Sequence, residues 1–303
     1  MNPASVEQIA DAVLYEGYIL YPYRASALKN GQRWNFGVAY PPAYAAAQQG
    51  SDASTLQCEC LARGDNLSVR VRFLHLVTRD ESWQEAIPRD VEVHSPGVHE
   101  FVFAEQEERT DAVLRRQERV EGRIEVSTHI LDDGWYRVSV RISNTGAFEA
   151  LGSDSAAWSA REAALRRSLV STHAILRVAG GQFASQTDPP EALRELSAEC
   201  SNVGLWPVLA GEAKPPNTML ASPIILYDYP QIARESAGAL FDGTEIDEIL
   251  SLRILTLTDD EKREMRETDP QARRLLERTE ALDPRQWLQM HGVMRDPRSR
   301  ERL

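Results

Sequence analysis

The amino-acid sequence predicts an α+β fold: an antiparallel β-sandwich or open barrel, followed by a short-helix C-terminal appendage. Residues 56–77 and residues 120–142 alternate apolar and polar side chains on either side of a turn sequence, as antiparallel hairpins do. Several helix-start patterns then follow one another after residue 243. We therefore expect a β-rich body over residues 1–235 and a helical appendage over residues 236–303 that packs on the body.

The first expected hairpin joins residues 56–62 to residues 67–77 through the turn Arg63-Gly-Asp-Asn66. Apolar or thiol side chains occupy the even positions before this turn, and apolar side chains occupy the odd positions from residue 67 to residue 73 after it. A turn of this length places Ala62 opposite Leu67. Both apolar sets then lie on one face, as a hairpin requires.

The second expected hairpin joins residues 120–130 to residues 135–142 through the loop Asp132-Asp-Gly134. This loop pairs Leu131 with Trp135, and Gly134 supplies the left-handed conformation that such loops need. The opposite faces of the two hairpins carry charged side chains that we expect to be solvated: Arg70, Arg72, Arg119, Arg123, Glu125, Arg137 and Arg141.

Shorter patterns predict the remaining elements. Strands are expected at residues 18–23, 89–93, 98–103, 169–178, 205–209 and 223–229, and short helices at residues 161–167 and 190–198. The apolar run from Ile224 to Tyr227 implies that the last strand is buried on both faces. In the tail, the segments beginning at Thr244 and Thr258 fit the capping-box pattern, and Pro270 and Pro284 each follow an aspartate, as at a helix start.

The composition is that of an ordinary globular chain of 303 residues, with 42% hydrophobic and 26% charged residues. No apolar run reaches the length that spans a bilayer, and the N-terminus lacks a secretory pattern, so we expect a cytoplasmic protein. The net charge of −12 disfavours nucleic acid as a main partner. Three cysteines do not make a disulfide framework.

Two groups of residues invite a metal-binding interpretation. Cys58 and Cys60 share one strand face with His75, but the histidine lies too far along the strand to complete a site with them. Core packing is the favoured interpretation of both thiols. The acidic residues between Asp242 and Glu248 do not have EF-hand spacing, and capping of a helix explains them adequately. We expect no metal and no cofactor.

Catalytic motifs are absent from the sequence, including the nucleophile elbow, the phosphate-binding loop and the dinucleotide fingerprint. Ser171 and His173 offer a nucleophile and a base, but a structural role for the histidine is favoured and no catalytic residue is assigned. The binding prediction falls on a basic, aromatic set: Arg24, Lys29, Arg33, Trp34 and Asn35. This set suits an anionic ligand, a partner's acidic surface or, slightly favoured, the chain's own segment 242–248.

Five segments, residues 14–24, 32–37, 168–173, 222–232 and 240–249, together resemble an uncharacterised bacterial protein family associated with nickel–iron hydrogenase gene neighbourhoods. The resemblance implies a non-catalytic accessory factor in hydrogenase assembly or function. Such a factor acts by binding a protein, either a hydrogenase subunit or a maturation protein. The alternative is a small-molecule-binding protein or an undetected enzyme with a pocket near His173. The family carries no catalytic residues over to this chain.

Overall fold

The computed structural model describes residues 3–20, 33–48, 50, 52–79, 83–94, 96–110, 113–149, 157–211, 215–231, 247–268 and 270–283. The chain divides into two compact units, which we call the sheet unit (Met1–Tyr15 and Trp34–Gln231) and the helical unit (Glu16–Arg33 and Ile232–Leu303). The expected boundary at residue 235 lies outside the described residues. The expected packing of the appendage on the body stays a prediction.

One large antiparallel sheet dominates the sheet unit. Its strands are β1 (Thr55–Arg79), β2 (Trp83–Val93), β3 (Gly97–Phe103), β4 (Gln106–Arg109), β5 (Leu114–Gln117), β6 (Val120–Ile130), β7 (Trp135–Asn144), β8 (Val170–Phe183), β9 (Trp206–Leu209) and β10 (Thr218–Ser222). The strand order is β3-β6-β7-β1-β8-β10-β9, while β2 and β5 pair with β1 and β4 pairs with β5. The sheet is not closed, and the α+β class is confirmed.

The first predicted hairpin is wrong, because residues 55–79 form the single long strand β1. Ala62 pairs with Tyr136 of β7 and with Phe183 of β8, and it does not pair with Leu67. The predicted turn is instead an irregularity within the strand, where the register against β8 shifts twice between Arg63 and Leu67. A bulge moves the apolar side chains from even to odd positions just as a turn does, so the alternation alone did not separate the two.

The second predicted hairpin is confirmed. Strands β6 and β7 pair Ile130 with Tyr136 and Ile124 with Ile142. The backbone N–H of Leu131 donates to the Trp135 carbonyl at 2.9 Å, which closes the loop as predicted. Gly134 has a φ of 75°, in the left-handed region that favours glycine.

The main core lies on the inner face of this sheet. Its buried side chains come from β1, β6, β7, β8 and β10, and they include both Cys58 and Cys60. Strand β3 packs face to face with β1, because the Phe73 ring lies 5.7 Å from Phe101 and 5.8 Å from Phe103 between centroids. The sheet therefore folds over itself as an open sandwich, with β1 shared by both layers.

Helix α1 (Pro3–Leu14) covers part of the outer face. Its apolar side packs on three strands of the sheet through a small cluster that contains Val6, Ile9, Ala10, Ile175, Val208, Ala210 and Leu220. The amphipathic pattern of α1 supplies this apolar stripe, and packing of such a stripe is the main source of helix stability in a protein.

The prediction of a solvated outer face is wrong at Arg72, which is buried beneath α1, while the neighbouring Arg70 is partly exposed. Arg72 donates to Asp11 at 2.7 Å and to Asp90 at 2.8 Å, and its side chain is only 7% exposed. Arg70 donates to Glu7 at 2.8 Å. Glu7 and Asp11 are one helical turn apart, so both face the sheet, and they add to the charge that Asp90 of β2 already supplies to the two arginines.

The predicted strand at residues 223–229 is also wrong. The chain leaves β10 at Ser222, whose hydroxyl donates to the Ile224 carbonyl at 2.5 Å, and residues 223–229 are irregular. Ile225 is 76% exposed and Tyr227 is 84% exposed, so the expected burial on both faces does not occur. Pro223 has no N–H with which to continue the ladder.

The other helices of the sheet unit are short. They are α2 (Pro42–Ala47), α3 (Ala157–Leu165) and α4 (Arg194–Ala198), and a 3-10 turn over Glu191–Leu193 precedes the last of these. The predictions of helices near 161–167 and 190–198 are confirmed, with α3 shifted towards the N-terminus. Strand β8 continues through Gly180 and Gly181, where the sequence predicted its end.

The helical unit contains α5 (Asp247–Leu255), α6 (Asp259–Thr268) and α7 (Pro270–Glu280). The capping box at Thr258 is confirmed, since its N–H donates to Glu261 at 2.9 Å and the Glu261 N–H donates back to its hydroxyl at 3.3 Å. The patterns predicted at Thr244 and Pro284 lie outside the described residues, as does Asp242. No helix in the described part of the chain is long and apolar enough to cross a membrane.

Candidate binding cavity

A loop of the sheet unit, residues 34–40, forms one wall of a solvent-accessible cavity. The start of β8 holds this loop in place, because the N–H groups of Ser171 and Thr172 donate to the carbonyls of Phe36 and Gly37 at 3.2 Å and 2.9 Å. Ala39 and Leu169 exchange two further backbone hydrogen bonds. The wall is therefore fixed to the sheet, which a preformed binding site requires.

The cavity has a volume of about 550 Å³. It is lined by Asn35, Phe36, Gly37, Val38, Tyr40, Asp52, Ala53, Leu56, Arg161, Val203, Gly204, Trp206 and Pro223. Both glycines have left-handed backbones, with φ of 53° at Gly37 and 69° at Gly204. A Cβ atom at Gly204 would lie 2.6 Å from the Leu56 side chain, so a larger residue there would require that side chain to move.

Polar groups converge at one end of the cavity. Arg161 on α3 donates to the Trp34 carbonyl at 2.9 Å and to the Asn35 side-chain oxygen at 3.0 Å. Trp34 has a φ of 65°, a conformation that costs a residue with a Cβ atom about 1 kcal/mol or more. The hydrogen bond from Arg161 to the Trp34 carbonyl helps to hold this strained backbone conformation. Strained residues of this kind cluster at binding sites.

The phenol of Tyr40 stays neutral at this end. Burial raises the pKa of Tyr40 to about 12, with Arg161 lowering it and Asp52 raising it further. Burial also raises the pKa of Tyr44, beside Asp52. The cavity therefore offers one guanidinium, one carboxylate, an amide and a neutral hydroxyl, which fix the orientation of a ligand more than they perform chemistry.

Exposed apolar side chains surround the opening. Phe36 is 41% exposed, Val203 is 51% exposed and Trp206 is 38% exposed. Large apolar side chains beside a cavity are the features that mark binding surfaces on soluble proteins. We call the two aromatic side chains among them, Phe36 and Trp206, the aromatic rim.

Two other cavities are lined mainly by charged residues. One of about 280 Å³ lies beside Leu114 and Arg166, and one of about 550 Å³ lies beside Glu105 and Arg167. Their charges pair with one another, as in the contact of 2.6 Å between Arg167 and Glu118. Neither cavity has an apolar rim of the kind that surrounds the first one.

Of the three members of the predicted binding set that the structure describes, only Asn35 lines the candidate cavity. Arg33 is 4% exposed and donates to the Tyr18 carbonyl at 2.9 Å. Trp34 is also 4% exposed, and its indole N–H donates to Gln84 at 2.9 Å. Arg24 and Lys29 lie outside the described residues, as do most of residues 242–248, so the binding role of the set stays a prediction.

The geometry around His173 does not form a nucleophile and base. The Ser171 hydroxyl donates to the Val13 carbonyl at 3.1 Å, and His173 Nδ1 lies 3.2 Å from the Ser171 carbonyl. His173 is fully buried opposite Arg72 and lines none of the three cavities described here. Burial lowers the pKa of His173 to about 3, with Arg72 lowering it further, so the ring is neutral.

The predicted core packing of Cys58 and Cys60 is confirmed. They are 1% and 0% exposed, and burial raises the pKa of Cys58 to about 12. His75 is also buried, with Nε2 lying 2.8 Å from the Glu118 carbonyl. Among the described residues, no three histidine, cysteine, aspartate or glutamate side chains converge as a metal site would need.

No protein-family model, no curated protein and no solved structure matches the chain. Most of the cavity was not predicted from the sequence, because its residues come from five separate stretches between Asn35 and Pro223. The only local signals were aromatic residues and glycines, which are equally frequent in ordinary cores and turns.

Proposed function

We propose that this chain is a non-catalytic accessory factor associated with nickel–iron hydrogenase assembly or function. It acts in the cytoplasm by binding a protein partner, a hydrogenase subunit or a maturation protein, through the candidate cavity and the aromatic rim. The rim around the open cavity is the single observation that carries the binding role. The resemblance of the five sequence segments supports the hydrogenase context.

The geometry suits insertion of an apolar side chain of the partner. Binding energy at protein interfaces concentrates in aromatic residues that border a pocket and lose water on binding. Trp206 and Phe36 stand at the border, and Leu56 and Val38 continue the apolar lining inward. The hydrogen-bonding groups in the lining, Asn35, Asp52 and Arg161, orient the inserted group.

Binding of the immobilised full chain to purified nickel–iron hydrogenase large subunit and to purified maturation proteins tests this proposal. We expect one of them to bind, and Trp206→Ala to weaken its affinity by about thirtyfold, as truncation of an aromatic anchor does. Trp206 is the first residue of β9, and its side chain is 38% exposed. Truncation of this side chain should therefore leave the core intact.

The matched control is Ile130→Ala, which removes another exposed apolar side chain, 84% exposed, at the end of β6. This variant should bind as the wild type does. Equal loss of affinity in both variants, or no binding by any of these proteins, would contradict the proposal.

A second candidate function is the binding of a small molecule in the same cavity. Its volume of about 550 Å³ falls in the range of ligand pockets, and Asn35, Asp52 and Arg161 converge on it. Mass spectrometry of the native protein tests this alternative. A bound compound that is present in the wild type and lost from Trp206→Ala would favour it over protein binding.

A further inference from the structure

Strand β3 is an open edge of the sheet. Among the described residues it pairs only with β6, from Gly97 opposite Val126 to Phe103 opposite Val120. In the described part of the chain no strand pairs with its other side, where alternate residues of β3 present a row of backbone N–H and C=O groups. Such a row is a template on which another extended chain adds as a strand.

The side chains of β3 do not protect this edge. Glu100 is its one carboxylate, and the strand has no lysine, arginine or proline. On the outward face Val98 is 61% exposed and Val102 is 52% exposed. The inward face is fixed by Phe101 and Phe103 against Phe73, so the edge is held rigidly in an extended conformation.

The other edges of the sheet carry the protection that β3 lacks. Strand β9 contains Pro207, and its outer edge is occupied, since the Tyr229 N–H donates to the Leu209 carbonyl at 2.7 Å and Asp228 accepts from the Leu209 N–H at 2.8 Å. Strand β2 contains Pro88, and all four residues of β4 are exposed and polar. Proline and charge are the usual means by which proteins block strand addition.

We infer that β3 is a strand-addition site for an extended segment of a partner protein, with a basic residue between two apolar residues on its outward face. Val98, Glu100 and Val102 alternate along that face, so an added strand places its own alternate side chains beside them. On the side of β3 that pairs with β6, the Arg123 guanidinium nitrogen Nη2 lies 3.2 Å from the Glu100 oxygen Oε1. A lysine or arginine on the added strand becomes the neighbour of Glu100 on the other side.

A second copy of this chain fits the edge poorly. The antiparallel register that pairs Val98 of one copy with Val102 of the other places the two Glu100 side chains directly opposite each other, and like charges in that position are destabilising. Each chain also carries a net charge of −12, which repels a second copy and attracts a basic segment. The charges therefore select a basic partner segment.

This inference goes beyond the proposed function, because no residue of β3 lines the candidate cavity. Its test uses the full chain and two fluorescein-labelled peptides, Thr-Val-Thr-Lys-Thr-Val-Thr and the same peptide with glutamate at its centre. Fluorescence anisotropy at low salt measures their affinities. We expect the lysine peptide to bind more tightly, by roughly two- to thirtyfold, from the change between an opposite-charge and a like-charge cross-strand pair.

Charge reversal makes the test specific. Glu100→Lys should invert the preference so that the glutamate peptide binds more tightly. Because this substitution also places a lysine opposite Arg123, thermal unfolding is used to check that the variant is folded at the temperature of the binding assay. Glu191→Lys makes the same change in net charge at a side chain that is 83% exposed on another part of the sheet unit. It should keep the wild-type preference. Val102→Lys, a second variant on β3, should weaken both peptides.

Four results would overturn the inference. The first is no binding of either peptide at millimolar concentration, and the second is the same preference in Glu100→Lys as in Glu191→Lys. The third is a dimer of the wild-type chain in sedimentation equilibrium that Val102→Lys dissociates, which would assign the edge to a second copy. Loss of peptide binding in Trp206→Ala but not in Glu100→Lys would also overturn it, by placing the peptide in the cavity.

Discussion

The close approach of the paired strands β1 and β8 near Arg63 depends on the absence of a side chain at Gly181. A Cβ atom built there would overlap the Arg63 carbonyl oxygen and lie 2.8 Å from the Gly64 Cα atom. Carbon atoms in contact are normally about 3.5–4.0 Å apart, so the two backbones would have to separate. Gly181→Ala should therefore destabilise the protein by about 3 kcal/mol, the upper end for overpacking, because backbone atoms cannot move aside as a side chain can.

Thermal unfolding followed by circular dichroism measures this effect, and the melting temperature should fall by roughly 6–12 °C. Gly180→Ala separates backbone strain from overlap. Gly180 has a φ of 63° but nothing within 4 Å of its Cβ position, so its substitution costs only about 1–2 kcal/mol. Gly50→Ala, with open space around it, should melt within about 2 °C of the wild type.

A melting temperature for Gly181→Ala within about 2 °C of the wild type would refute this reasoning. It would show that β1 and β8 do not approach closely at Arg63 and Gly64. A chain that reversed direction at the predicted turn would have no such contact, so the experiment also separates the long strand from the hairpin expected from the sequence.

Three further predictions concern buried groups and the appendage. Burial lowers the pKa of His75 to about 4 and that of His173 to about 3, from 6.5 in the unfolded chain. The contribution of the two neutral rings to stability is therefore present above pH 6.5 and is lost as the pH falls towards 3. Urea denaturation should show that His75→Gln loses less stability than the wild type between pH 6.5 and pH 3. Burial raises the pKa of the Cys58 thiol to about 12 and that of Cys60 well above its usual value, so mass spectrometry after iodoacetamide treatment at pH 8 should find both unmodified in the native protein and alkylated in urea. Thr258→Ala removes one half of the capping box and should lower the stability of the helical unit by about 1 kcal/mol, measured by thermal unfolding with Thr256→Ala as the control.

Local chemistry predicted the elements that depend on neighbours in the chain. The hairpin of β6 and β7 follows from alternation on both sides of a glycine-containing loop, and each of these signals acts within a few residues. The capping box at Thr258 and Glu261 is local in the same sense. The packing of Cys58 and Cys60 followed from the apolar side chains on either side of them in the same strand.

The sequence by itself thus determined the β-rich class, one hairpin register and the starts of two tail helices, at Thr258 and Pro270. The tertiary structure alone decided that β1 is continuous, because a turn and a bulge change the side-chain alternation in the same way and only the strands paired alongside distinguish them. It also decided that Arg70 and Arg72 lie beneath α1, since their carboxylate partners on that helix are about sixty residues away in the chain. The tertiary structure alone also decided the position of the candidate cavity. Its lining residues extend from Asn35 to Pro223, and no local sequence pattern predicts which distant side chains the folded sheet brings together.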